Sequence, residues 1–292
     1  MDASQFADFW GLQGYRVIKT ESAYWYSPKK FFFMSIPYHR ILTLTEKEIK
    51  EVMRKSQALA VRFPAPETFT QGIDGGIFIC SEKNYDLPSL DKSARNYTRR
   101  GLKQVTIREI SFGLLREQGY PLILETYARQ GRSRGIFSKA QWIRYCDAAH
   151  QIPDFETWGS FVNKELAAFV VCALVEKYYS ILFQCSLTSL LDRHSNNALI
   201  FTLTKTKLSL PEVTCVSYGF KSLESTEGLN NFKLAMGFRL EPFKDCIVFN
   251  PLMCLFLTYG GYRIVKWLSG CFPKSDFWRK VASVFNYKKS SL

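Results

Sequence analysis

WGSFV at 158–162, LAAFVVCALV at 166–175 and YYSILFQC at 178–185 are three runs of apolar, β-branched and aromatic residues. Only Asn163-Lys164-Glu165 and Glu176-Lys177 separate them, so the stretch reads as three strands joined by tight polar turns. Connections this short join antiparallel neighbours. The pattern then changes to a polar connector at 186–195, a helical stretch at 196–208 stopped by Pro211, and a strand at 213–218. A loop at 219–226 leads to a short helix at 227–236 capped by Gly237, and an extended segment at 238–249 bends at Pro242.

Toward the N-terminus, Ser138-Lys139-Ala140-Gln141 has capping-box spacing and opens a helix that turns Trp142, Ile143, Cys146 and Ala149 inward. The basic loop Gly131-Arg132-Ser133-Arg134-Gly135 precedes it. Residues 112–130 read as helical segments broken by Gly119 and Pro121, after a strand at 105–110. The helix at 89–103 carries Lys92, Arg95, Arg99 and Lys103 in one stripe, with Leu90, Ala94 and Tyr97 expected on the packed side. Residues 92–134 hold ten Lys/Arg against three Glu. Such a stripe suits phosphate contacts, although a solvated face is the plainer reading. The first hundred residues otherwise read as short strands at 15–18, 23–26, 31–36, 59–63 and 76–80 around one helix. Thr45-Glu46-Lys47-Glu48 opens that helix with capping-box spacing, and Ile49, Val52 and Met53 share a face.

The 292 residues are 47% apolar and 22% charged, which supports a packed core and excludes a mainly disordered chain. Lys and Arg number 39 against 26 Asp and Glu, a formal charge of +13. The excess favours an anionic partner, whether nucleic acid, a phosphorylated cofactor or an acidic membrane surface, or serves solubility alone. Eight cysteines are scattered singly without a CxxC, so a reducing, cytoplasmic setting is expected. Met1-Asp2-Ala3-Ser4-Gln5 has no signal-peptide character, and the apolar run at 247–262 is too interrupted to span a bilayer. His39, His150 and His194 share no metal or triad spacing, so no metal site is expected and hydrolytic chemistry is disfavoured.

The element order from 158 to 249 resembles the acyltransferase fold of the GNAT superfamily. Val216-Ser217-Tyr218-Gly219-Phe220, followed by Gly228-Leu229, Phe232-Lys233 and Gly237-Phe238, is similar to the strand, glycine turn and helix of FemABX-like proteins. That branch includes the aminoacyl-transferring enzymes of peptidoglycan bridges. The helix bearing Arg95 to Lys103 is similar to the basic helix between their two halves. The likeness spans residues 85–250 and implies an α/β (α+β) fold with a GNAT-like mixed, mainly antiparallel central sheet flanked by helices. It further implies a partial or full tandem of two GNAT-like halves. The expected division is 1–115 for a partial N-terminal half with the basic helix, 116–250 for the C-terminal half, and 251–292 for a basic, aromatic, amphipathic helical tail. In such a fold the strands at 178–185 and 213–218 part, and the bare backbone groups hold an acyl donor extended. The positive end of the helix entered near Asn196 faces that gap.

Gln184, Ser186, Asn196 and Asn197 stand at this junction and are the expected donor-binding residues. CoA-using GNAT proteins carry a glycine-rich Arg/Gln-x-x-Gly-x-Gly/Ala turn there, but no glycine lies between Gly159 and Gly219. The expectation is therefore no tightly bound cofactor and a donor other than acetyl-CoA, either an aminoacyl-tRNA or another acyl thioester. Lys92, Arg95, Arg99 and Lys103 would contact phosphates. Tyr218, Glu224 and Lys233 are the catalytic candidates: Glu224 as general base, Tyr218 as a proton or hydrogen-bond donor, and Lys233 as a cation near the carbonyl oxygen. Ser222 and Glu227 are expected to contact a small-molecule or peptide-like amine acceptor. The expected activity is metal-independent N-acyl or aminoacyl transfer. The alternative is a catalytically silent basic module for RNA or an anionic lipid surface, with 251–292 as a peripheral contact on the inner face of the membrane. Plain structural readings stand beside these: a strand-end aromatic for Tyr218, a helix N-terminal acid for Glu227 and a solvated lysine for Lys233.

Overall fold

The computed structural model describes residues 1–70, 72–131, 137–221, 227–256 and 267. Along the chain, α1 (Ala3–Leu12) leads to β1 (Val17–Lys19), β2 (Tyr24–Lys29), β3 (Phe32–Ile36), α2 (Glu46–Ser56), β4 (Ala60–Ala65) and β5 (Ile73–Cys80). Next come α3 (Lys92–Leu102), β6 (Thr106–Ile110), α4 (Phe112–Arg129), α5 (Lys139–Gln151), β7 (Phe155–Val162), β8 (Glu165–Val175) and β9 (Tyr178–Ser186). The rest is α6 (Ser195–Leu208), β10 (Cys215–Phe220), α7 (Glu227–Ala235), β11 (Arg239–Phe249) and α8 (Pro251–Phe256). Two compact units emerge, a larger one from the described residues of 77–241 and a smaller one from those of 3–76 and 242–256. Within the larger unit β6 pairs with β7 and α3 packs on α6.

In the larger unit the strand order is β5-β10-β9-β8-β7-β6. The neighbours are antiparallel except β9 and β10, which run parallel. β8 is buried at nearly every residue because both of its faces are covered. Ala168, Val170 and Cys172 join Leu199, Ile200 and Leu203 of α6 in one core. Phe169 and Phe183 instead meet Trp142 of α5, with ring centres 5.7 and 5.9 Å apart. α4 runs unbroken through Gly119 and Pro121, against expectation. Tertiary packing overrides the breaker signal: a Cβ at Gly119 would sit only 3.0 Å from Trp142, so the glycine admits the indole. The capping box of α5 forms as expected, Ser138 Oγ accepting from the Gln141 N–H and Gln141 Oε1 from the Ser138 N–H.

The smaller unit has the order β1-β2-β3-β4-β11, with β3 and β4 parallel. Trp25, Phe33, Val52, Val61 and Phe63 form its core. α1 has no counterpart among the expected elements; its Trp10 stacks on Tyr26 at 4.2 Å. Only half of the expected box at α2 forms. Thr45 accepts from the Glu48 N–H, but the Glu48 carboxylate turns to the Ser22 N–H and hydroxyl at 2.9 and 2.8 Å. Each unit contains a strand, a helix and a parallel strand joined over three residue pairs, β3–α2–β4 and β9–α6–β10, as a tandem requires. In the smaller unit the chain closes beside β4, where the Leu42 N–H donates to Pro64 O at 2.8 Å.

α3 lies against α6 so closely that a Cβ at Gly101 would sit 2.8 Å from the His194 carbonyl oxygen. Gly101→Ala is therefore expected to destabilise the protein by about 1 kcal/mol or more, although removing a helical glycine ordinarily gains about that much. A urea titration showing an unchanged or raised midpoint would contradict the close approach.

Candidate active site

β9 and β10 pair at Tyr178↔Cys215, Tyr179↔Val216 and Ser180↔Ser217, and the Ser217 hydroxyl donates to Ser180 Oγ at 3.1 Å across the last pair. Beyond it, no ladder pair joins 181–186 to β10 among the described residues. Two irregularities accompany the parting. In β9, Leu182 is an extra residue, since Ile181 opposes Cys172 while Phe183 opposes Val171. In β10, Tyr218 and Gly219 fall between Ser217↔Ile79 and Phe220↔Ile77, two residues against Phe78 alone. Gly219 has φ +68°, a conformation that glycine adopts without strain and that bends the strand.

A row of polar side chains crosses the resulting wedge. The Tyr218 hydroxyl donates to Gln184 Oε1. Gln184 Nε2 donates to Asn196 Oδ1 at 2.9 Å, and Asn196 Nδ2 donates to Ser186 Oγ at 3.1 Å. Three of the four expected donor residues thus meet at the end of β9, while Asn197 turns to the Met236 sulfur at 3.5 Å. Burial raises the Tyr218 phenol far above its ordinary pKa, so it stays neutral. Tyr218 is expected as a proton or hydrogen-bond donor; its hydrogen goes to Gln184, and its oxygen keeps lone pairs for another donor. The backbone amides at and just after the end of β9 are also committed: Ser186 N–H to Thr126 Oγ1, Leu187 N–H to Ala167 O, and Thr188 N–H to Glu125 Oε2.

Lys233 comes up beside this row from α7. It is 4% exposed, against the solvated-lysine reading. Its ammonium donates to Phe220 O at 3.3 Å and lies over the rings of Phe78 and Tyr218 at 4.7 and 5.2 Å. No carboxylate pairs with it among the described residues, and burial lowers its pKa to about 8. Lys207, nearly as buried, is different because Glu156 neutralises it at 2.5 Å.

No protein-family model and no curated protein matches the sequence. Solved structures do match. A crystal structure of FemX is 14% identical, with a TM-score of 0.61 over 86% of this chain and 93% of that one. The C-terminal domain of a putative lysylphosphatidylglycerol synthetase from Agrobacterium fabrum is 13% identical, with a TM-score of 0.58 over 88% and 91%. A GCN5-related N-acetyltransferase from Sphaerobacter thermophilus is 12% identical, with a TM-score of 0.51 over 77% and 75%. The fold is GNAT-like and resembles that of FemX. At these identities the likeness is one of architecture.

The residues expected to contact phosphates differ in their surroundings on α3. Lys92, Arg99 and Lys103 are exposed on α3 with Arg100, and no carboxylate pairs with them among the described residues. Arg95 is not available in the same way. Its guanidinium donates to the carbonyls of Leu87, Pro88 and Leu90 and ties the helix to the preceding turn. Tyr97, expected on the packed side, is 44% exposed and stacks on His194 at 4.7 Å. Thr98 and Gly101 take the buried face instead, because the α6 contact selects it. Ser222 and Glu224 lie outside the described residues; Glu227 opens α7, and its side chain is likewise outside them. The 251–292 tail falls outside beyond α8, apart from residue 267. No helix among the described residues is long and apolar enough to cross a membrane. Sequence reasoning missed Phe78, Thr126 and Arg129, which carry no local motif and reach the site only through sheet pairing and helix packing.

The lowered pKa of Lys233 makes a signed prediction. Between about 8 and 10.5 the unfolded chain holds a proton that the folded chain has lost, so stability rises with pH across that window. Below it, the buried charge costs the folded state about 3 kcal/mol. Lys233→Met should raise the unfolding free energy by about 1–3 kcal/mol near neutral pH, with the gain shrinking toward pH 10. Denaturant titrations at two pH values check this, and a pH-independent difference would place the ammonium in solvent.

Proposed function

We propose that this protein transfers an acyl or aminoacyl group to an amine, forming an amide at the wedge between β9 and β10. The observation that carries this reading is the buried ammonium of Lys233, without a carboxylate partner among the described residues, over the Tyr218 ring where the strands part. The amine nitrogen attacks the donor carbonyl, the carbon–leaving-group bond breaks, and the proton lost by nitrogen balances the departing anion. Negative charge gathers on the carbonyl oxygen in the tetrahedral state, and a desolvated cation stabilises it strongly. Tyr218, through its lone pairs, orients an N–H of the amine. The unpaired edge of β9 holds the acyl end extended.

The donor is proposed to be carried by something other than coenzyme A. In support, three successive amides that would approach a pyrophosphate are bonded within the protein, and the Glu125 carboxylate stands beside Thr188. An aminoacyl-tRNA is the proposed donor. Its phosphates suit the exposed cations Lys92, Arg99 and Lys103, and the fold is shared with FemX and a lysylphosphatidylglycerol synthetase. The acceptor is proposed to be an amine of a small molecule or peptide. A second reading draws on the same exposed α3 face, a catalytically silent module that binds RNA or an anionic lipid surface. RNA binding with a steep salt dependence and no donor consumed would favour it.

Transfer is tested with a panel of aminoacyl-tRNA, acyl-CoA and acyl-carrier donors. Lys233→Gln should lower kcat about 100-fold or more, and the parent rate should fall as pH rises through about 8, where the ammonium loses its proton. Tyr218→Phe should cost about tenfold. A rate that climbs through that pH would make Lys233 a base, and activity indifferent to Lys233→Gln would remove it from the chemistry.

A further inference from the structure

Ser186 ends β9, and the last turns of α4 grip the chain where it leaves the sheet. Thr126 Oγ1 donates to Ser186 O at 3.1 Å and accepts from its N–H at 2.9 Å. Glu125 Oε2 accepts from the Thr188 N–H at 2.7 Å. Arg129 Nη1 donates to Thr188 Oγ1 at 2.9 Å, and Nη2 donates to Ser186 Oγ at 3.1 Å.

Arg129 alone of these three reaches the Ser186 hydroxyl, and that hydroxyl is where the row from Tyr218 ends. Ser186 Oγ accepts from both Asn196 and Arg129, so both of its lone pairs are engaged and the oxygen is held between two donors. A guanidinium suits this task because its planar fork spans two oxygens at fixed angles. Without it the Ser186 rotamer loses one anchor. The amides of Asn196 and Gln184 then lose the fixed end that sets which way each one points.

We propose that Arg129 is a positioning residue for the wedge, holding the Tyr218 hydroxyl in place beside Lys233 by way of Ser186, Asn196 and Gln184. Its effect on turnover rests on the proposed acyl transfer, whereas its effect on the side-chain row does not. Arg129 is itself exposed, so truncating it leaves the core intact.

The test uses the full chain with R129A, R129K, S186A and the R129A/S186A double variant. R129A should lower kcat about tenfold with KM within about twofold, and R129K should recover part of the loss. S186A, which also removes the Asn196 contact, should be at least as slow as R129A, and the double variant no slower than S186A, since without the Ser186 hydroxyl Arg129 has nothing in the row left to hold. Independently of turnover, the side-chain amide signals of Gln184 and Asn196 in nitrogen–proton correlation spectra should move in R129A. Unmoved signals, an unchanged kcat, or losses that multiply in the double variant would overturn the proposal. A parent that transfers from no donor would defeat the acyl-transfer reading instead, and the amide signals alone would then decide the role of Arg129.

Discussion

β9 and β10 share three residue pairs and then separate, and the polar row, the start of α6 and Lys233 are arranged around that separation. A parallel pair that continued to the end of β9 would spend its backbone groups on the ladder. It would also leave no space for side chains between the strands. The extra residue at Leu182 and the Tyr218–Gly219 bulge stop the ladder from both sides. The α6 N-terminus and the polar row from Tyr218 to Ser186 then take the place of ladder bonds. Buried polar groups must be satisfied, and here side chains that can exchange partners satisfy them, where a continuous sheet would use fixed backbone bonds.

The two buried lysines show how the same chemical group acquires different meanings. Lys207 reaches Glu156, which also accepts from the Trp158 indole and the Tyr179 hydroxyl. That charge is neutralised, and the cluster serves packing at the end of α6. Among the described residues Lys233 has one carbonyl and two ring faces. Neither a carbonyl dipole nor a ring quadrupole replaces a carboxylate, so the ammonium remains costly and responsive to any negative charge brought near it. A site that stabilises a developing oxyanion has this property, and a purely structural contact has little use for it.

Much of the fold was legible because its signals are local. The three runs at 158–185 are apolar, β-branched and aromatic and break at short polar links, and the Ser138-to-Gln141 spacing closes a full capping box. The candidate site was legible in part. Tyr218, Gln184, Ser186, Asn196 and Lys233 sit near predicted element ends, where strands open and helices begin. The structure differs from expectation where a partner lies outside the helix's own periodicity. Arg95 looked like part of a phosphate stripe because helical spacing cannot reveal three carbonyls in the preceding turn. Tyr97 was placed inward because the face that α6 covers is set by the approach of His194 and Ala198 to Gly101.

The order of residues by itself determined the succession of strands and helices, the net positive charge and the residue types gathered at the strand ends. Those follow from side-chain periodicity, turn chemistry and capping, which act over a few residues. Only the tertiary structure decided that the strands part after three pairs, that Lys207 meets an acid while Lys233 meets none among the described residues, and that Arg129 meets Ser186. These outcomes depend on groups tens to more than a hundred residues apart, and long-range pairing and burial bring them together with no trace in local sequence pattern.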